Sequence, residues 1–357
     1  MISQRFEDGK TVSYTYDNAG VLARVYDTNI HRETRYSYDL ADRLREYRES
    51  DEHSVKFDYD THNNLTEIVE MINGIEYRTS YSYDSDNRFT GVSNEKSSEG
   101  LSYDALGRAS GREVYHIRDP YTTDGIERLY RCYYSYETDT QTGSQSGYLK
   151  QITYETPWED IIFSYTYDSN GNIVSVSNGY SVVTYAYDSA NQLIRENNPG
   201  LSSTWVWTYD NAGNILSSKK YSYTTAADLS GLTPLESHTY TYGDAEWGDL
   251  LTAYDGTAIT QDAIGNPLSD GTWTYTWEHG RQLKSMTNGS TTWNYTYDAN
   301  GMRKTRKNGS STYTYVYDGG KLTQMTKGSD TLYFTYGIQG PLTVTWNGNT
   351  YYYICNA

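Results

Sequence analysis

Tyr165-Thr166-Tyr167-Asp168-Ser169-Asn170-Gly171-Asn172-Ile173 is the stretch whose reading decides the fold. Aromatic residues at 165 and 167 flank a small polar one, and alternation with period two marks a strand with two unlike faces. Tyr and Thr favour that pleated surface. Asp168 then opens a tetrapeptide closed by Gly171, and Asp first with Gly fourth is the preference of a type I turn. The carboxylate can accept a backbone N–H two residues on. The fourth position needs left-handed backbone to rejoin a return strand, which Ile173 and Val176 begin. The segment reads as a β-hairpin.

The same unit recurs along the chain. Tyr-Asp stands at Tyr16-Asp17, Tyr38-Asp39, Tyr59-Asp60, Tyr83-Asp84, Tyr103-Asp104, Tyr167-Asp168, Tyr187-Asp188, Tyr209-Asp210, Tyr297-Asp298 and Tyr317-Asp318. Degenerate copies are Tyr136-Glu137, Gln261-Asp262 and Trp277-Glu278. Neighbouring copies lie about 20 residues apart, the signature of a repeat array. In ten aligned units the fourth turn position holds Gly20, Asp42, Asn63, Asn87, Gly107, Gly171, Asn191, Gly213, Gly265 and Gly301. Those residue types best tolerate positive φ. The motif Asp therefore reads as a turn cap rather than a catalytic group, and the repeat residues read as structural.

Composition supports an unusual core. Leu, Ile, Val and Phe make up only about 16% of the 357 residues, and the net charge is −17. That pair of values is typical of disorder, yet 41 Tyr and 8 Trp are present, and disordered segments are poor in aromatics. Tyrosine is expected to supply the missing apolar surface. No run approaches 18 apolar residues, which excludes a membrane-spanning helix. A chain this acidic is not expected to bind nucleic acid. Cys132 and Cys355 form no C-x-x-C pair, so neither a disulfide framework nor a thiolate zinc site is expected.

The array divides by regularity. Residues 1–108, 161–216 and 263–357 keep the period, while 109–160 and 217–262 read as elongated hairpins or loop insertions within one array spanning 1–357. The expected architecture is all-β, one continuous and strongly curved antiparallel sheet with almost no helix.

Repeated Y-x-Y-D-x-x-G-N/R units, as in Tyr165 to Asn172 and Trp207 to Asn214, resemble the YD-repeat or Rhs family. Residues 259–283, with Asp262-Ala263-Ile264-Gly265-Asn266-Pro267 followed by Trp273-Thr274-Tyr275-Thr276-Trp277-Glu278, look like the bacterial Rhs version. The resemblance implies an array of antiparallel hairpins in a spiralling sheet, part of a hollow β-shell. It also implies a secreted or cell-surface, non-enzymatic protein that encapsulates and delivers a C-terminal toxin. Its partners would be the remainder of a longer chain: a core segment and the toxin cargo. The family's Asp-Pro self-cleavage motif has one formal counterpart, Asp119-Pro120, without the Gly that follows it in the family. The chain reads as an internal piece that opens within a repeat and closes in the strand-like Tyr351-Tyr352-Tyr353-Ile354-Cys355, an edge expected to self-associate.

Chemistry weighs little beside this. Asp168-x-Asn170-Gly171 lacks the sixth-position Gly and twelfth-position Glu of a calcium loop. No two of His31, His53, His62, His116, His238 and His279 form an H-x-x-x-H pair, so no metal or cofactor is expected. The alternative is a surface adhesin binding glycans through exposed aromatics. Trp205, Trp207, Trp273, Trp277 and Trp293 discriminate: rings packed on the sheet favour the shell, and clustered open rings favour the adhesin.

Overall fold

The computed structural model describes residues 2–6, 9–28, 30–49, 52–118, 122, 125–138, 145–337 and 340–353. Asp119-Pro120 and Ile354-Cys355 lie outside the described residues. Among the described residues the chain forms 33 β-strands and no α-helix. The period-two alternation and the Asp-x-x-Gly turns leave no stretch long enough for a helical face.

The chain divides into two compact units, one of residues 1–101, 114–127 and 273–357, the other of 102–113 and 128–272. In the first unit strands pair antiparallel with their chain neighbours from Ile2–Arg5 through Phe89–Ser93. The same meander runs from Thr274–Glu278 to Asn349–Tyr352. Its core is mainly aliphatic, with Val12, Val25, Val55, Ile72, Val92 and Leu342 nearly sealed from solvent beside Tyr295, Tyr297 and Tyr333.

In the second unit residues 131–138 of the 13-residue strand Ile126–Thr138 pair with Gln145–Glu155, forming the longest hairpin. Consecutive pairing then continues from Asp160–Tyr167 to Glu236–Thr241. Beyond it the strands shrink to two residues at Ala253–Tyr254 and Thr257–Ala258. There the ladder breaks, giving sheets of 22 and 11 strands instead of one unbroken sheet. The physical reason is local: Ile259 donates its N–H back to the Thr252 carbonyl, and Thr260–Gln261 starts a new hairpin with Pro267–Ser269. The buried apolar set of this unit includes Tyr130, Tyr154, Tyr165 and Tyr221 beside Ile152 and Cys132.

Tyrosine thus supplies a core only in part. Most motif tyrosines are half-buried, because a phenol carries one polar atom that must reach a partner when its ring is covered.

Candidate functional site: the repeat motif and a buried carboxylate–histidine cluster

The motif Asp is the hub of each turn. At Asp17, Asp39, Asp60, Asp84, Asp104, Asp168, Asp188, Asp210, Asp262 and Asp298, carboxylate Oδ1 accepts the backbone N–H groups two and four residues on, at 2.8–3.0 Å. The backbone closes around it: in the first such turn Gly20 donates to the Asp17 carbonyl and Asp17 to that of Val21. All ten fourth positions have positive φ, from 58° at Asp42 to 92° at Gly213.

The other carboxylate oxygen, Oδ2, is used as well. It accepts from the side chain four residues on, Arg43, Asn64, Arg88, Arg108, Asn172, Asn214 or Asn266, at 2.7–3.0 Å. The Asn172 amide and the backbone N–H groups hold the Asp168 carboxyl below its ordinary range, and Asn214 does the same for Asp210. Those side chains also reach the neighbouring repeat. Arg43 donates to Asn63 at 2.8 Å and Asn172 to Asn191 at 2.8 Å. The Arg43 and Arg108 guanidiniums lie 4.7 and 4.0 Å over the Tyr59 and Tyr136 rings, within cation–π range.

Asp318 departs from the pattern. Its strand runs through Asp318, and Gly319-Gly320, both with positive φ, close a two-residue hairpin to Lys321. No room remains for the longer turn, and the Asp318 carboxylate instead accepts from the Tyr47 hydroxyl at 3.2 Å.

The motif Tyr makes the contact that sequence reading missed. Each of twelve hairpins carries a register shift immediately before its motif position, as at Thr15/Tyr16, Thr166/Tyr167 and Thr208/Tyr209. Such a bulge bends the strand and re-aims a side chain. The re-aimed hydroxyl donates to a backbone carbonyl of the preceding hairpin: Tyr38 to Leu22, Tyr59 to Leu44, Tyr83 to Leu65, Tyr136 to Ala109, Tyr167 to Leu149, Tyr187 to Ile173, Tyr209 to Leu193 and Tyr297 to Leu283, at 2.7–2.9 Å. In most cases the acceptor is the residue opposite the previous motif aromatic, as Leu22 is opposite Tyr16. Each of these repeats is stapled to the one before it. Tyr336 makes the same bond to Leu322 at 2.7 Å, although Gly337 stands where the motif has Asp.

Residues 46–193 match the family model described as Teneurin YD-shell. Over those residues the chain is similar to the teneurin YD-shell family. No curated protein matches its sequence. Among solved structures it is similar to the crystal structure of TcdB2-TccC3-TEV, at 14% identity over 98% of this chain and 22% of that one, with a TM-score of 0.43. It is also similar to TcdB2-TccC3-Cdc42, at 14% identity over 95% and 26%, TM-score 0.36. A Photorhabdus luminescens Tc holotoxin pore gives 14% identity over 97% and 23%, TM-score 0.36. The chain spans about a quarter of the length of those chains.

The discriminating tryptophans sit on or beside strands, and all five are half-buried. Trp205 and Trp207 stack with centroids 6.0 Å apart, Lys220 covers Trp205, and Arg306 lies 4.5 Å over Trp293. These are packed rings, not an open platform.

The staple gives two measurable consequences. Tyr209→Phe keeps the ring and removes only the donor to Leu193. It should cost about 1 kcal/mol, the usual net worth of such a bond, read as a lower urea midpoint. Gly213 has φ +92° and a Cβ there would lie 3.1 Å from Gln192 Nε2. Gly213→Val should therefore cost more than about 1 kcal/mol, and an unchanged melting temperature would contradict the turn geometry.

The first unit also holds a buried polar cluster. His53 and Glu70 are 5% and 3% exposed, on the paired strands His53–Tyr59 and Leu65–Ile72. His53 Nε2 lies 3.1 Å from Glu70 and Nδ1 3.3 Å from Glu49. Lys304 donates to Glu49 at 3.0 Å. Thr323 and Tyr333 donate to the two oxygens of Glu70 at 2.8 and 3.2 Å, and Tyr77 stacks on Tyr333 at 3.7 Å. Burial would push the imidazole down, but its bonds to Glu49 and Glu70 outweigh this and raise His53 to about 9. Burial would likewise raise Glu49, yet His53 and Lys304 hold it at about 2. Burial, then the Glu70 charge, raises Asp318.

Proposed function

We propose that this chain is a non-enzymatic structural stretch of a YD-repeat shell, in a secreted or cell-surface protein whose wall encloses and delivers a C-terminal toxin. Residues 1–357 would then act as one repeat array, with the remainder of a longer chain and its cargo as partners. The observation that carries this reading is the staple. The distinctive side chains of the repeat are engaged within or between hairpins: carboxylates in their own turns, hydroxyls on the preceding repeat. Such nearest-neighbour coupling is how repeat arrays accumulate stability, and it suits a wall better than a reaction centre. The half-buried tryptophans give the glycan-binding alternative no support.

The test is protease protection of the natural full-length gene product carrying a C-terminal tag. The tagged region should survive protease until denaturant opens the wall, and then be cut quickly. Cleavage at the rate of an unfolded control, with the repeat region still folded, would overturn the encapsulation reading.

A further inference from the structure

We propose that the Glu49–His53–Glu70 cluster is an alkaline-released clasp that fastens strands His53–Tyr59 and Leu65–Ile72 to strands Arg303–Asn308, Lys321–Lys327 and Asp330–Gly337 within the first unit. It holds whether or not the chain walls a cargo.

The geometry places one imidazole between two carboxylates, all three largely shielded from water. Glu70 is held from across the unit by the Thr323 and Tyr333 hydroxyls, and Glu49 by Lys304. The bonds from Lys304, Thr323 and Tyr333 thus all end on carboxylates that His53 also touches, while the Tyr47–Asp318 bond and the Tyr77–Tyr333 stack run beside them. The surrounding charges are mostly negative. Asp318 faces Glu70 and His53, and Asp298 faces Glu49. Besides Lys304, the cations are Arg32, 3.9 Å from Glu49 and half-exposed, and Lys321, which faces Asp318. Tyr47, edge-on to the His53 ring at 6.0 Å, Tyr77 and Tyr333 are all raised above their ordinary range, chiefly by burial.

Loss of the imidazolium proton therefore leaves buried carboxylates facing Asp318 with Lys304 as their main counter-charge. Uncompensated buried charge is strongly unfavourable. The sign is fixed by linkage. His53 is raised from an ordinary value near 6.5 to about 9, so its stabilisation is full below about pH 6.5 and is lost as pH rises through 9. Acid acts differently. Glu49 stays charged to about 2, and the raised Asp298 and Asp318 only shed repulsive charge as pH falls.

The experiment is urea unfolding of the chain from pH 5.5 to 10, with NMR titration of the His53 ring. The unfolding equilibrium constant should rise on the order of 100-fold between pH 6.5 and 9.5, and the ring should titrate near pH 9. His53→Asn, neutral at every pH, should be less stable at pH 6 and should flatten that dependence. A ring that titrates at or below pH 6.5 overturns the clasp, even if the variant fails to fold. So does wild-type stability that stays level across the range, or an alkaline loss that persists in His53→Asn.

Discussion

Glu70→Ala is expected to destabilise the first unit by roughly 3–5 kcal/mol, the range for breaking a buried charged pair by deleting one partner. Glu70 is 3% exposed and accepts from Thr323 Oγ1 and Tyr333 OH while facing His53 Nε2. Truncation removes all three partners at once. It leaves the buried imidazolium with Glu49 alone and takes the carboxylate acceptor from both hydroxyls, and buried polar groups that lose a partner carry a desolvation penalty. Urea unfolding at pH 7, where His53 is charged, measures the loss. Glu67→Ala is the control: its partner Arg78 is half-exposed, and exposed pairs contribute about 0–1 kcal/mol. Similar losses in both variants would mean that the cluster contributes no more than a surface pair.

That contrast also shows what the sequence could and could not reveal. The turn chemistry was legible because it is local. Asp, two spacers and Gly or Asn within four residues contain both the acceptor and the left-handed position, and nothing distant is needed to read them. The all-β character followed from alternation for the same reason. The staple was not legible: alternation assigns Tyr167 to a face, but its acceptor Leu149 depends on a one-residue register shift that leaves no mark in composition. The buried cluster was still further from view. His53 and Glu70 are 17 residues apart, and Thr323 and Tyr333 follow more than 250 residues later. Its only sequence trace is a lone carboxylate inside the apolar run Ile68-Val69-Glu70-Met71-Ile72. The tyrosine count suggested a phenolic core, yet the first unit buries mostly Val, Ile and Leu, because the motif hydroxyls are kept near the surface by the carbonyls they cap.

Gly337→Ala is the second large effect, on the order of 2–3 kcal/mol, at the upper end of overpacking costs. Tyr336 occupies a motif position by every structural measure: the register shift precedes it and its hydroxyl staples Leu322. The next residue nevertheless lacks a side chain. A Cβ on Gly337 would run into the carboxylate of Glu99, with its Cδ at 2.9 Å. Glu99 is 2% exposed, so the carboxylate cannot retreat into water without opening the strand Ser97–Tyr103 that carries it. The motif Asp is absent here because another carboxylate fills its space. Gly100→Ala, beside Glu99 with nothing within 4 Å of a new Cβ, should be nearly neutral. In a Glu99→Ala background the Gly337→Ala cost should largely vanish, a coupling of about 2 kcal/mol between residues in contact. Additive losses in the double variant would show that Glu99 is not what keeps position 337 a glycine.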